Sequence, residues 1–326
     1  MVPSQLQTRT VRPLTSIDST TRSWVKGFIA ILGECPDICD RPSGSPTVRQ
    51  SGRKLVHLPL YESAALVSET FIHSKNFEPE LPPIYRGVSI ARGGAFAHAL
   101  DMVAGGDVEA GTLVWTRRAD RLDCAVVLEP DQPLAASLPV VYVALLGLSD
   151  ALGALGPPNI PVTFGWPDRI EVNGGVVGGV RVAAADVRGV AEAIPDWMVL
   201  GVSVQVHGFP DDDSPGLRAD RTALHEEGFG EVETPALLES FSRHFLAWMN
   251  TWQDDGFDQV CAAWIARASD YDGEVSLTVS AGAAEAETVT GMFTGIDGAG
   301  ALLLGTEDGV RRIGLAAALQ EPSWGL

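Results

Sequence analysis

The sequence has 326 residues, 45% hydrophobic and 20% charged, enough for a sizeable core and for two or three domains. Its 23 basic residues face 42 acidic ones, and the formal charge of −19 argues against a nucleic-acid backbone or an anionic membrane as partner. Only Lys26, Lys54 and Lys75 are lysines, so residues 81–326 cannot supply an active-site lysine.

Residues 1–80 carry nine Lys/Arg and eight Asp/Glu and are rich in Ser, Thr, Pro and Arg, as in Arg41-Pro42-Ser43-Gly44-Ser45-Pro46. They read as a poorly ordered extension, or as the product of a wrongly assigned translation start. The remaining 14 basic and 34 acidic residues put residues 81–326 at −20. Gly27 to Gly33 faintly resembles a signal-peptide core, but it is short and Glu34-Cys35-Pro36 is no small-residue cleavage site. With no transmembrane run, the protein is expected to be soluble and cytoplasmic.

From Leu81 the pattern is that of a folded α+β domain. Residues 95–104 are helical in spacing, and 112–115 and 123–128 read as strands joined by the basic turn Arg117-Arg118-Ala119-Asp120-Arg121. Residues 138–155 form a buried helix stopped by Gly156-Pro157-Pro158. Strands follow at 162–166, 169–172, 176–183 and 198–206, with Asn173-Gly174 as a tight hairpin turn. A long helix starts at Thr234-Pro235, its core face carrying Leu237, Leu238, Phe241, Phe245, Trp248, Met249 and Trp252. A further helix covers 257–268, and short strands at 274–281, 287–295, 300–304 and 309–314 suggest a small β-barrel.

Few groups suggest chemistry. Cys35 and Cys39 lack a second pair, and Cys124 sits in an apolar run, so no disulfide scaffold or metal site is expected. His98, His207, His225 and His244 are scattered, and Asp211-Asp212-Asp213 reads as a solvated loop. Gly178 and Gly179 fall inside a strand, where a ligand or another backbone approaches closely, or where the sheet bulges. Arg117, Arg118 and Arg121 could bind a carboxylate or phosphate, or simply pair with Asp120 and Asp123 in a solvated turn.

The stretch from Trp166-Pro167-Asp168-Arg169 to Val180 resembles the biotin–protein and lipoate–protein ligase family. There Trp-Pro-Asn-Asp is followed, within one hairpin, by a Lys, an aliphatic residue, a small residue and Gly. Leu200-Gly201-Val202-Ser203-Val204-Gln205 is similar to the family's Gly-Ile-Gly-Ile-Asn strand, and Thr222-Ala223-Leu224 to its Thr-Ser-Leu loop. Gly291-Met292-Phe293-Thr294-Gly295 to Leu304 resembles the SH3-like C-terminal barrel of bacterial members. The resemblance spans roughly residues 85–326. It implies a mixed β-sheet flanked by helices, of the class II synthetase kind, over residues 81–270, then a small SH3-like β-barrel over 271–326.

It also implies a reaction. A small carboxylic acid (biotin, lipoate or octanoate) is activated by ATP with Mg2+, and the acyl-adenylate passes to a lysine of a biotinyl or lipoyl carrier domain. Bringing a carboxylate onto a triphosphate sets anion against anion, and losing one stabilising donor typically costs roughly 2.7–4 kcal/mol. Here the family lysine falls at Val176, the Asn-Asp pair at Asp168 and Arg169, and the Arg/Gly-rich loop at the short turn 116–121. No catalytic residue is assigned. Candidate substrate- or ATP-binding residues are Arg117, Arg118, Arg121, Trp166, Asp168, Arg169, Gly178, Gly179 and Arg181. Two readings stay open: a divergent ligase or acyltransferase with arginines in the lysine's stead, and a degenerate relative that binds a small acid, a nucleotide or a protein.

Overall fold

The alternating apolar runs fold into two antiparallel-rich sheets. The computed structural model describes residues 78–325, except 107, 187–192, 209–219 and 280–286. The expected extension over 1–80 and the Asp211–Asp213 cluster therefore lie almost wholly outside the described residues.

Seven strands form the first sheet: β1 (Arg86–Ile90), β2 (Thr112–Thr116), β3 (Arg121–Leu128), β4 (Val162–Gly165), β5 (Arg169–Val172), β6 (Gly175–Ala184) and β7 (Met198–Gln205). Their spatial order is β1-β2-β3-β7-β6-β5-β4, antiparallel throughout except for the parallel β1–β2 pair. This is the expected mixed sheet. At the β5–β6 hairpin, Asn173 (φ 52°) and Gly174 (φ 82°) both take the left-handed conformation, as the expected tight turn requires.

Helix α1 (Ala95–Gly105) covers part of one sheet face through Ala95, Ala99 and Val103, packed on Val114, Ala125, Val127 and Val199. The other face lies under α3 (Val140–Leu155), preceded by the short α2 (Leu134–Ser137), and under α4 (Thr234–Asp255), with α5 (Phe257–Ile265) packed on both long helices. The span 134–155 is long and apolar enough to cross a membrane, yet most of it is buried against protein, as its core role predicts. On α4 the residues Leu237, Leu238, Phe241, Phe245 and Met249 are buried as expected. Trp248 stays partly exposed because its indole N–H reaches out to Asp150 Oδ2, 2.7 Å away.

The second sheet is a four-stranded antiparallel meander, β8 (Glu274–Val279), β9 (Glu287–Ile296), β10 (Leu302–Thr306) and β11 (Gly309–Ile313), followed by α6 (Leu315–Ala318). It meets the first through aromatic rings: Trp264 of α5 stacks on Phe164 at 5.7 Å and lies 5.0 Å from Tyr142 and 6.4 Å from Phe293. Tyr142 also donates its hydroxyl hydrogen to the Gly300 carbonyl, at 2.6 Å.

Candidate functional site

Side chains of a strand alternate between faces, so registers assign each residue to one side. Asp123 pairs with Ser203, Arg121 with Gln205, Gly179 with Ser203 and Arg181 with Gly201. All these residues share the face that α1 covers only in part. The uncovered half, beside the N-terminus of α1, is polar and is floored by small residues.

Two arginines dominate it. Arg121 donates from Nε to Gln205 Oε1 at 3.2 Å, and the Arg181 guanidinium lies 4.2 Å from the centre of the Phe96 ring. Among the described residues neither forms an ion pair. Burial, and for each the positive charge of a neighbouring arginine, lowers both guanidinium pKa values. Asp123 offsets both from a distance and Asp120 offsets Arg121, but Asp123 Oδ2 is engaged by the Ala95 backbone N–H at 3.1 Å, at the start of α1, and Asp120 is forked by Arg118. With both carboxylates engaged elsewhere, the two guanidinium groups favour an anion.

The glycines of the floor let neighbouring groups come close to the backbone. A Cβ at Gly201 would meet the Phe96 ring at 2.6 Å and Arg181 Cγ at 3.1 Å. At Gly179 it would overlap the Asp168 carbonyl oxygen and the indole of Trp324. Gly178 answers to backbone: it lies at the β5–β6 register shift, and a Cβ there would strike the Ser203 carbonyl. Of the two sequence readings for this pair, the crowded bulge holds at Gly178 and close approach holds at Gly179.

The other sequence candidates are spread out. Arg117 is half-exposed on the β1 side, bonded to Glu78 at 2.8 Å and Ser89 Oγ at 3.1 Å. Arg118 forks onto Asp120, donating from Nε to Oδ1 at 2.9 Å and from Nη2 to Oδ2. These two behave as solvated turn residues, whereas Arg121 belongs to β3 and inherits its face. Trp166 is buried and donates to the Tyr142 hydroxyl at 2.7 Å. Arg169 pairs with the buried Glu171 at 3.0 Å and reaches toward Asp270 at 3.7 Å. Asp168 is buried and accepts both the backbone N–H (3.2 Å) and the hydroxyl of Ser323. Burial pushes its pKa up to about 6, against the lowering effect of those Ser323 bonds.

Val176 pairs through backbone bonds with the segment around Arg221, accepting from Thr222 N at 3.0 Å and donating to Asp220 O at 2.9 Å. No cation other than arginine approaches this hairpin from the described residues, which contain no lysine. His207 and His225, distant in sequence, pack with ring centres 3.7 Å apart. Among the described residues no group of three or more His, Cys, Asp or Glu could hold a metal ion. Sequence reading did not place Asp123, Gln205, Phe96 or Ser323-Trp324 in the site: it took Asp123 as a turn partner of the arginines and Gln205 as the end of a family-like strand. Alternation along β3 and β7, neighbours in the sheet though distant in sequence, joins those two, and no local signal marks Ser323-Trp324.

A sequence model of the biotin/lipoate A/B protein ligase family matches residues 81–266, more than half of the chain. The chain belongs to that family. A model of the biotin protein ligase C-terminal domain matches residues 278–317, consistent with the four-stranded second sheet. The chain is 30% identical over 192 residues to a biotin–[acetyl-CoA-carboxylase] ligase of Paracoccus denitrificans, covering 58% of this chain and 76% of that one. It is similar to a biotin protein ligase-like protein of unknown function from Silicibacter sp. TM1040, with 31% identity, 75% of this chain, all of that one and a TM-score of 0.66. The biotin protein ligase of Aquifex aeolicus in complex with biotin and ATP shares the fold, at 18% identity and a TM-score of 0.56 over 71% of this chain and 97% of that one.

Proposed function

We propose that the chain is a cytoplasmic ligase-type protein that binds a small carboxylic acid of the biotin, lipoate or octanoate class, activates it with ATP, and passes the acyl group to a carrier-domain lysine. The observation that carries this reading is the Arg121–Arg181 pair, half-buried and without an ion-pair partner among the described residues, at the N-terminus of α1. In the activation step a carboxylate oxygen attacks the α-phosphorus of ATP. An acyl-adenylate forms and pyrophosphate leaves. Two guanidinium groups aimed at that face lower the repulsion between the anions, and arginine, permanently protonated, supplies charge without acting as a base.

A second reading is favoured by Val176, the residue at the hairpin position where the family carries lysine. On that reading the protein binds the acid or nucleotide and does not turn it over. Pyrophosphate exchange with ATP and each of biotin, lipoate and octanoate separates the two. Exchange with one acid supports the ligase. A thermal shift with an acid or with ATP alone but no exchange supports the binder, and no response to any acid or to ATP removes both.

A further inference from the structure

The polar face is already occupied at one end by the protein itself. After α6 the chain crosses from the second sheet to the first, with Gln320, Glu321, Pro322 and Ser323 exposed and Trp324 buried. The indole lies on the Gly179 surface, on the same face as Arg181, and its Nε1–H donates to the Val180 carbonyl at 2.9 Å. Ser323 closes onto Asp168 with its amide and its hydroxyl. Beyond it, Gly325 is exposed beside Arg221, whose Nη2 would lie 3.7 Å from a Cβ at that glycine. One buried ring, two bonds to a single carboxylate and one to a backbone carbonyl thus hold a strap whose flanking residues are in solvent.

Gly179 and Arg181 are two residues apart on β6, about 7 Å along the strand. A carboxylate seated on the Arg121–Arg181 pair therefore has the indole within reach of an acyl chain of about five carbons. The position across the sheet from Arg181, Gly201 on β7, is covered by Phe96. Running along the glycine floor, the body of such a ligand meets Trp324.

We infer that Ser323-Trp324-Gly325 is a releasable internal ligand of the Gly179–Asp168 groove, and that the acyl part of the bound acid displaces it. The second half of this inference rests on the carboxylate-binding reading; the first half does not. Trp324 fills the groove in the free protein, and removing it leaves a vacant floor of the same shape.

The test uses the full chain with Trp324→Ala and a synthetic peptide of residues 320–325 added in trans. The peptide is expected to bind the variant and not the wild type, in calorimetry. Biotin, lipoate or octanoate, with ATP present, is expected to bind the variant at least tenfold more tightly than the wild type. The peptide is expected to weaken that binding in proportion to its concentration. In the wild type, hydrogen exchange at the Ser323 and Trp324 amides is expected to accelerate when the acid is added, a readout that needs no variant. A peptide that binds both proteins alike, or neither, overturns the strap. Acid binding that is equal in the two proteins and indifferent to the peptide overturns the displacement. If the peptide binds only the variant and no acid binds either protein, the carboxylate reading fails while the internal ligand stands.

Discussion

The two faces of the seven-stranded sheet are made by the same strands and have opposite characters. Under α3 and α4, Leu122, Cys124, Val126, Val180, Leu200 and Val204 are all but fully buried, and that side is apolar. On the other face the neighbours in the same strands are Arg121, Asp123, Arg181, Gly201, Ser203 and Gln205. One side stores stability and the other holds arginines without an ion pair among the described residues, so a substitution on each should be read by a different instrument.

The largest effect is expected on the apolar side. Phe245→Ala, at a fully buried ring stacked on Phe241 at 5.6 Å, should cost about 3–5 kcal/mol in urea unfolding while leaving any acid affinity unchanged. A loss of affinity would mean that the faces are coupled. Next comes Asp168, at the edge of the polar side. Its carboxyl pKa is raised by burial from 3.8 to about 6, so the folded state holds a proton that the unfolded state has released between those values. Its contribution to stability is full below about pH 4 and is lost as pH rises through 6, about 3 kcal/mol in total. The stability gap between wild type and Asp168→Asn, followed from pH 4 to 7.5, should move in the wild type's disfavour by that order. A flat gap would contradict the burial.

Smaller in free energy, and confined to binding, is Arg181→Gln. Removing one charge-assisted contact should weaken acid binding about 10- to 100-fold with little change in unfolding. Unchanged binding would remove the arginine pair from the site. The smallest effects belong to Arg117→Ala and Arg118→Ala, whose exposed ion pairs are worth less than about 1 kcal/mol and which should leave binding intact. A binding defect there would shift the site to the turn.

Much of this architecture was legible in the residues. Alternation marked most strands, Asn173-Gly174 marked the hairpin, and the spacing of Leu237, Phe241 and Phe245 marked a core helix. The resemblance at Trp166–Val180 and Gly291–Leu304 supplied the architecture that joins them. β1 was invisible because Arg86-Gly87-Val88-Ser89-Ile90 is short, half-exposed and paired in parallel along only one edge. The difference between Arg118 and Arg121 was invisible for a subtler reason. β3 starts at Arg121, two residues earlier than its apolar run suggests, and that boundary decides which arginine shares a face with Asp123 and Arg181. The Ser323–Asp168 contact joins residues 155 apart, a pairing that no local pattern encodes.

The rings of Tyr142, Phe164, Trp264 and Phe293 form a seam owned jointly by both sheets and by helices α3 and α5. Stripping away the second sheet would bare the same rings that the first sheet leans on, although the first keeps its own core under α3 and α4. The seam therefore couples the second sheet to the first, and a small molecule gripping the first is expected to protect the second against proteolysis and heat.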